Sequence, residues 1–202
     1  MIKPATIVLS VLCLQFALAG CSSEEESSSE PSPPAEPTFP TDYVCGKKLN
    51  DKNTSAGGKC LKTLESSTGD WFTSSPSTNF ASEMGFTSWV ESKHDVVHGP
   101  NFIFVKLSQA KSWCSTLNNI AFAGRTNWQV PDVVTLNDFD YELSSVTNEY
   151  GWPGARECYR SSTEIDNDGK NNTHYAIDIG HAGSCFFQGG NDPLYVTCHS
   201  NK

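Results

Sequence analysis

FIFVKLSQAKSWCSTLNN, residues 102–119, changes its hydrophobic period at its midpoint. Phe102 to Leu107 is dense in apolar and β-branched residues and reads as a strand. Ser108 then serves as an N-cap, and Ala110, Trp113, Cys114 and Leu117 follow at i, i+3, i+4 and i+7. That spacing predicts an amphipathic helix with Cys114 on its buried face. Trp128-Gln-Val-Pro131 reads as an extended approach to a second helix, capped by Asp132, with Val133, Leu136, Phe139 and Leu143 on its apolar side. Beyond it the period becomes two. Tyr175, Ile177 and Ile179 alternate with His174, Ala176 and Asp178, and Leu194, Val196 and Cys198 alternate with Tyr195, Thr197 and His199. Gly151, Pro153, Gly180, Gly183, Gly189 and Gly190 punctuate these short strands. Helices followed by antiparallel strands make an α+β domain.

The N-terminus precedes that domain with segments of another kind. MIKPATIVLSVLCLQFALAGC has Lys3 and then an apolar run from Ala5 to Ala19, too short to span a bilayer comfortably and interrupted by Ser10 and Gln15. Residues 1–20 therefore read as a signal peptide. Leu18-Ala19-Gly20-Cys21 resembles the lipobox of bacterial lipoproteins, which implies diacylglycerol on the Cys21 thiol; Ser22 after it implies passage to the outer membrane. Residues 21–42 continue as an acidic Ser/Pro-rich tether with five prolines and no apolar periodicity. About twenty such residues reach roughly 60 Å at about 3 Å each.

Residues 43–202 hold 20 of the 22 aromatic residues and all five Trp, enough for a real core. They carry 17 acidic and 13 basic residues, a balance of −4. A mildly acidic domain without a basic cluster argues against nucleic acid, heparin-like polymers and anionic lipid as main partners. Cys13 leaves with the signal and Cys21 takes lipid, so six cysteines remain: Cys45, Cys60, Cys114, Cys158, Cys185 and Cys198. An even set in an exported chain reads as three disulfides. Locality favours Cys45–Cys60, and the absence of any C-x-x-C pair speaks against zinc.

The motifs SQAKSWCSTLNN, NWQVPDVVTLNDF, YGWPGARECYRSST, HYAIDIG and YVTCHS occur in an order that resembles the Lcl C-terminal domain family and the related C-type-lectin-like domains of bacterial adhesins. The resemblance covers roughly 102–200. Gln129 stands where the family has Arg, and Arg160 where Trp precedes Ser-Ser-Thr. It implies a C-type-lectin-like fold with two helices flanking small twisted antiparallel sheets and the termini close together. It also implies bridges Cys114–Cys198 and Cys158–Cys185, and recognition of an extracellular glycan or protein rather than catalysis.

Trp152, Arg156, Tyr159 and Arg160 form an aromatic and cationic group suited to stacking on a ligand and donating paired hydrogen bonds, unless Trp152 and Tyr159 belong to the core. Asp166-Asn-Asp-Gly-Lys-Asn171-Asn172 is an Asx/Gly turn that offers Asp166 and Asp168 as hard oxygens to calcium, with Asn171 and Asn172 beside them. Tyr175 stands where an EF-hand needs Glu. Asn191-Asp192 resembles the Asn-Asp step of calcium-dependent lectins but lacks the adjoining Trp, leaving the two as candidate ligand contacts. His94-Asp95-Val-Val-His98 has metal-ligand spacing if helical, yet the Val pair and Gly99-Pro100 oppose a helix. His181 and His199 read as ordinary surface or strand residues. No cofactor other than calcium is indicated.

The expected role is thus a non-catalytic binding module or adhesin, lipid-anchored in the outer membrane. The alternatives are a structural accessory subunit of an envelope assembly, and an enzyme like the formylglycine-generating oxidases, which share the lectin-like superfamily and use free cysteines.

Overall fold

The computed structural model describes residues 42–202 apart from 96–98, 100, 144, 155–156, 166–171 and 181–182. The signal and lipobox with Cys21, and the tether up to residue 41, lie outside these residues, as do Arg156, Asp166, Asp168, Asn171, His98 and His181. The chain forms β1 (Thr63–Glu65), β2 (Trp71–Thr73), α1 (Thr78–Glu83), β3 (Glu91–His94), β4 (Asn101–Phe104) and α2 (Leu107–Asn119). It continues with α3 (Val133–Glu142), α4 (Val146–Tyr150), β5 (Tyr159–Glu164), β6 (Thr173–Asp178), β7 (Gly183–Gly189) and β8 (His199–Ser200). Three small sheets result, ordered β1-β2-β8, β3-β4 and β5-β6-β7, with every pairing between these strands antiparallel.

The expected α+β class is observed. α2 begins two residues earlier than Ser108 predicts: Lys106 is the cap, and its amide donates to the Gln109 side chain at 2.8 Å. The predicted face holds, with Ala110, Trp113, Cys114 and Leu117 all buried. Asp132 caps α3 by accepting from the Thr135 amide at 2.8 Å. The first half is not helical alone, however. Residues 46–100, which carry no recognisable motif, supply β1, β2, α1 and β3 to the same domain.

Two hydrophobic clusters make the core, and one layer of chain divides them. Ile103, Val105, Val196 and Cys198 face α2, in a cluster with Trp113 and Trp128. Their neighbours Phe102, Phe104 and Tyr195 face α3, α4 and the β5-β6-β7 sheet, in a cluster with Phe139, Trp152 and Ile177. Period-two alternation in this layer separates one core from another rather than core from water. Residues 194–200 are accordingly buried throughout. This segment pairs in turn with Val105, the Tyr159 region, Thr73 and Gln129, so its backbone groups are satisfied inside the protein.

β6 departs from simple alternation. His174 and Ala176 are buried while Tyr175 is only half-buried, because register shifts on both flanks break the pleat between Arg160 and Glu164 and between His174 and Ala176.

Disulfides tie these pieces. Cys45–Cys60, Cys114–Cys198 and Cys158–Cys185 are bonded, with Cα separations of 4.9, 5.6 and 6.2 Å. The second fastens α2 to the dividing segment and the third joins the strand side of Tyr159 to β7. Both ends of the domain attach to one sheet: Leu61 N–H donates to the Tyr43 carbonyl at 2.8 Å, and β8 lies on β2. Arg125 secures the C-terminal end by stacking 3.7 Å from the Trp71 ring and donating to the Ser200 carbonyl at 2.7 Å.

Candidate functional site

β7 ends at Gly189, and the turn that follows is built by Asp192. Its carboxylate accepts from the Gly189 amide at 2.6 Å, and its own amide donates to the Gly189 carbonyl at 2.9 Å. Such side-chain-to-backbone closure is the ordinary use of Asp in a turn. Gly190 bridges two neighbouring elements, donating to the Asn172 carbonyl at 2.6 Å and accepting from the Leu107 amide at 3.0 Å. A Cβ on Gly190 would stand 2.5 Å from Asn172 Nδ2 and 3.1 Å from the Asn172 carbonyl oxygen, so a larger residue would displace the Asn172 side chain. Asn172 itself adopts φ 43°, a left-handed conformation that Asn tolerates better than most residues. Its side-chain oxygen lies 3.1 Å from His174 Nε2, which orients the amide.

Arg160 holds this turn from below. Its side chain is fully buried, and its guanidinium donates to the carbonyls of Gly189 and Asp192. Burial pulls its pKa down to about 10, an effect that the Asp192 carboxylate partly offsets, so the cation persists at neutral pH. A charged fork spent on two carbonyls of one turn fixes the position of that turn. Above it, Asn172, Asn191 and Asp192 are exposed. The result, among the described residues, is a polar rim of two amides and one carboxylate on a pinned backbone, capable of hydrogen bonding.

The structure therefore brings together Arg160, Asn172, Asn191 and Asp192 from the predicted set, and it gives Arg160 a supporting place rather than a contact. Two predicted contacts are corrected. Trp152 is 0% exposed and packs against Phe139 and Tyr159, with ring centroids 5.2 and 5.9 Å away. Tyr159 is 0% exposed, and its hydroxyl donates to the Pro153 carbonyl at 2.5 Å. Both are core residues because the segment after α4 closes the second hydrophobic cluster. Arg156, Asp166, Asp168 and Asn171 lie outside the described residues. Among the described residues no group of three His, Cys, Asp or Glu side chains is placed to hold a metal.

Of the His94–His98 motif, His98 lies outside the described residues. His94 ends strand β3, and Asp95 is buried, accepting from the Gly154 amide at 3.1 Å. His199 is a strand residue, as expected, in β8; it is 5% exposed and stacks on Phe72 with centroids 4.7 Å apart. Sequence reasoning missed His174 and Gly190 as parts of the rim. The Gly-Gly-Asn-Asp string held the signal, since two glycines before an Asx pair mark a turn that another chain segment approaches closely.

A second feature lies between α2 and the extended residues 128–130. It is an open depression of about 320 Å³ lined by Lys111, Ser115, Asn118, Trp128, Gln129 and Ser162, among others. Gln129 is exposed there.

No family model matches the chain, and no curated protein matches it. Among solved structures, the chain is similar to the adhesin InvE of Yersinia pseudotuberculosis, with a TM-score of 0.45 and 19% identity over 67% of this chain. The chain spans 33% of that structure's length, a similarity too slight to carry fold or function.

Proposed function

We propose that this chain is a non-catalytic binding module, lipid-anchored through Cys21 in the outer membrane, that engages an extracellular glycan or protein through the rim formed by Asn172, Asn191 and Asp192. The observation that carries the reading is Arg160. A buried cation fastened to the carbonyls of Gly189 and Asp192 pre-organises exposed amide and carboxylate groups, which lowers the ordering cost of binding. The lipobox supports the address, and the C-type-lectin-like resemblance supports recognition on loops carried by a rigid scaffold.

The pairing of all six domain cysteines speaks against the oxidase alternative, whose chemistry needs thiols. An accessory subunit remains the rival: crosslinking in native membranes would trap one fixed envelope partner if that role were correct. The direct test is an array of glycans and extracellular matrix proteins probed with the mature chain. Selective signals on a few spots support the module, and a blank array contradicts it. Chelation decides the calcium reading at Asp166 and Asp168, because signals that survive a chelator retire it.

A further inference from the structure

The domain's mild net charge conceals a division. Residues 43–62 contain five Lys and one Asp, whereas residues 63–202 contain eight basic and sixteen acidic residues. The single acid of the first segment is hidden: Asp51 is buried against Lys62, with Nζ 3.0 Å from Oδ2. Lys47, Lys48, Lys52 and Lys59 remain exposed, and no carboxylate of their own segment stands among them. Lys52 and Lys59 share surface pairs with Glu149 and Glu83, at 2.6 and 3.4 Å. Exposed pairs of this kind exchange readily for other anions.

The segment is rigid and sits where the tether joins. Cys45–Cys60 closes it, and Cys45 N–H donates to the Leu61 carbonyl at 3.1 Å. Gly46, Lys47 and Asn50 take left-handed conformations that shape the turn carrying Lys47 and Lys48. Asp42 continues covalently into the tether.

We propose that this disulfide-closed lysine segment is a contact for an anionic lipid surface and orients the domain against the membrane. The proposal rests on the lipid anchor at Cys21. Alone, four lysines on an acidic chain would bind lipid poorly. The anchor changes that by keeping them at a high effective concentration near the membrane, where contact needs an approach within the Debye length of about 8 Å. Each lysine near an anionic surface then favours contact by roughly fivefold.

The test uses the lipidated protein in vesicles of phosphatidylcholine, with or without phosphatidylglycerol, and an amine-reactive ester quantified peptide by peptide. Lys47 and Lys48 should react several-fold more slowly in the phosphatidylglycerol vesicles, recover at high salt, and leave Lys111 unchanged as the internal reference. Equal reactivity in both vesicles overturns the proposal. Protection in both would also overturn it, and would assign the acidic tether as occupant. A chain that floats with neither vesicle removes the anchor reading, and the proposal with it. In the Lys47→Glu/Lys48→Glu variant, Lys52 and Lys59 should lose whatever lipid-dependent protection they had.

Discussion

Lys62 Nζ lies 2.6 Å from the Asp51 carbonyl oxygen and 3.0 Å from its carboxylate, with both side chains withdrawn from solvent. Burial pulls the Lys62 ammonium below its ordinary pKa. Burial acts on Asp51 in the opposite sense, yet the Thr54 amide and Lys62 hold its carboxyl below the ordinary value. This pair fixes the first loop to β1 without a motif to advertise it.

Breaking one side of such a pair leaves an uncompensated buried charge. Lys62→Met should therefore cost about 3–5 kcal/mol in urea unfolding, and Asp51→Leu/Lys62→Met should recover most of that loss. A single variant as stable as wild type would show that the carboxylate reaches water.

Trp152 fills the second cluster between Phe139 and Tyr159. Trp152→Ala should lower stability by about 3–5 kcal/mol through the cavity it leaves. A variant with an unchanged melting temperature would return Trp152 to the surface as a ligand contact.

Cys114 and Cys198, 84 residues apart, clamp α2 to the segment that separates the two clusters. Removing both by Cys114→Ala/Cys198→Ala should cost between about 3 and 4.7 kcal/mol in the chain-entropy description. Unfolding under non-reducing conditions measures it, and a loss below about 1 kcal/mol would mean that packing alone holds the helix.

His199 sets an acid limit. Burial lowers its pKa below the ordinary 6.5; Asp70, whose carboxylate oxygen is 3.7 Å from Nε2, pulls it partly back. Below pH 6.5 the unfolded chain takes up a proton that the folded chain resists, so unfolding gains. Stability should hold above pH 6.5 and fall as the pH drops from there through the lowered value. His199→Gln should flatten that stretch of the profile. A wild-type profile already flat between pH 7 and 5 would place the His199 charge in contact with water.

The elements legible in the sequence were those that state their own ends. α2 and α3 have a period, a cap and a flank of polar residues, and each forms within two residues of expectation. The Cys45–Cys60 bridge follows from proximity in the chain. Residues 46–100 stayed opaque for a physical reason: their strands are short, Trp71 and Phe72 of β2 point into different clusters and leave it no polar face, and β3 is polar at every position. Trp152 and Arg160 misled in opposite ways. An aromatic residue beside Gly and Pro reads alike whether it covers a core or a ligand. A lone Arg reads as exposed, because the carbonyls that accept from it lie some thirty residues on and carry no sequence signature.

The most direct measurement is binding to the strongest array ligand by the Asn172→Gly/Asn191→Ala variant, with thermal unfolding recorded in parallel. These side chains are exposed, glycine takes the left-handed conformation of residue 172 without strain, and the turn itself is closed by Asp192 and backbone groups, so the fold should be unaffected. The account predicts binding weakened by at least about tenfold, the loss expected for a pair of ligand hydrogen bonds, at an unchanged melting temperature. A variant that unfolds like wild type and binds like wild type would contradict it and move the site to the depression around Gln129.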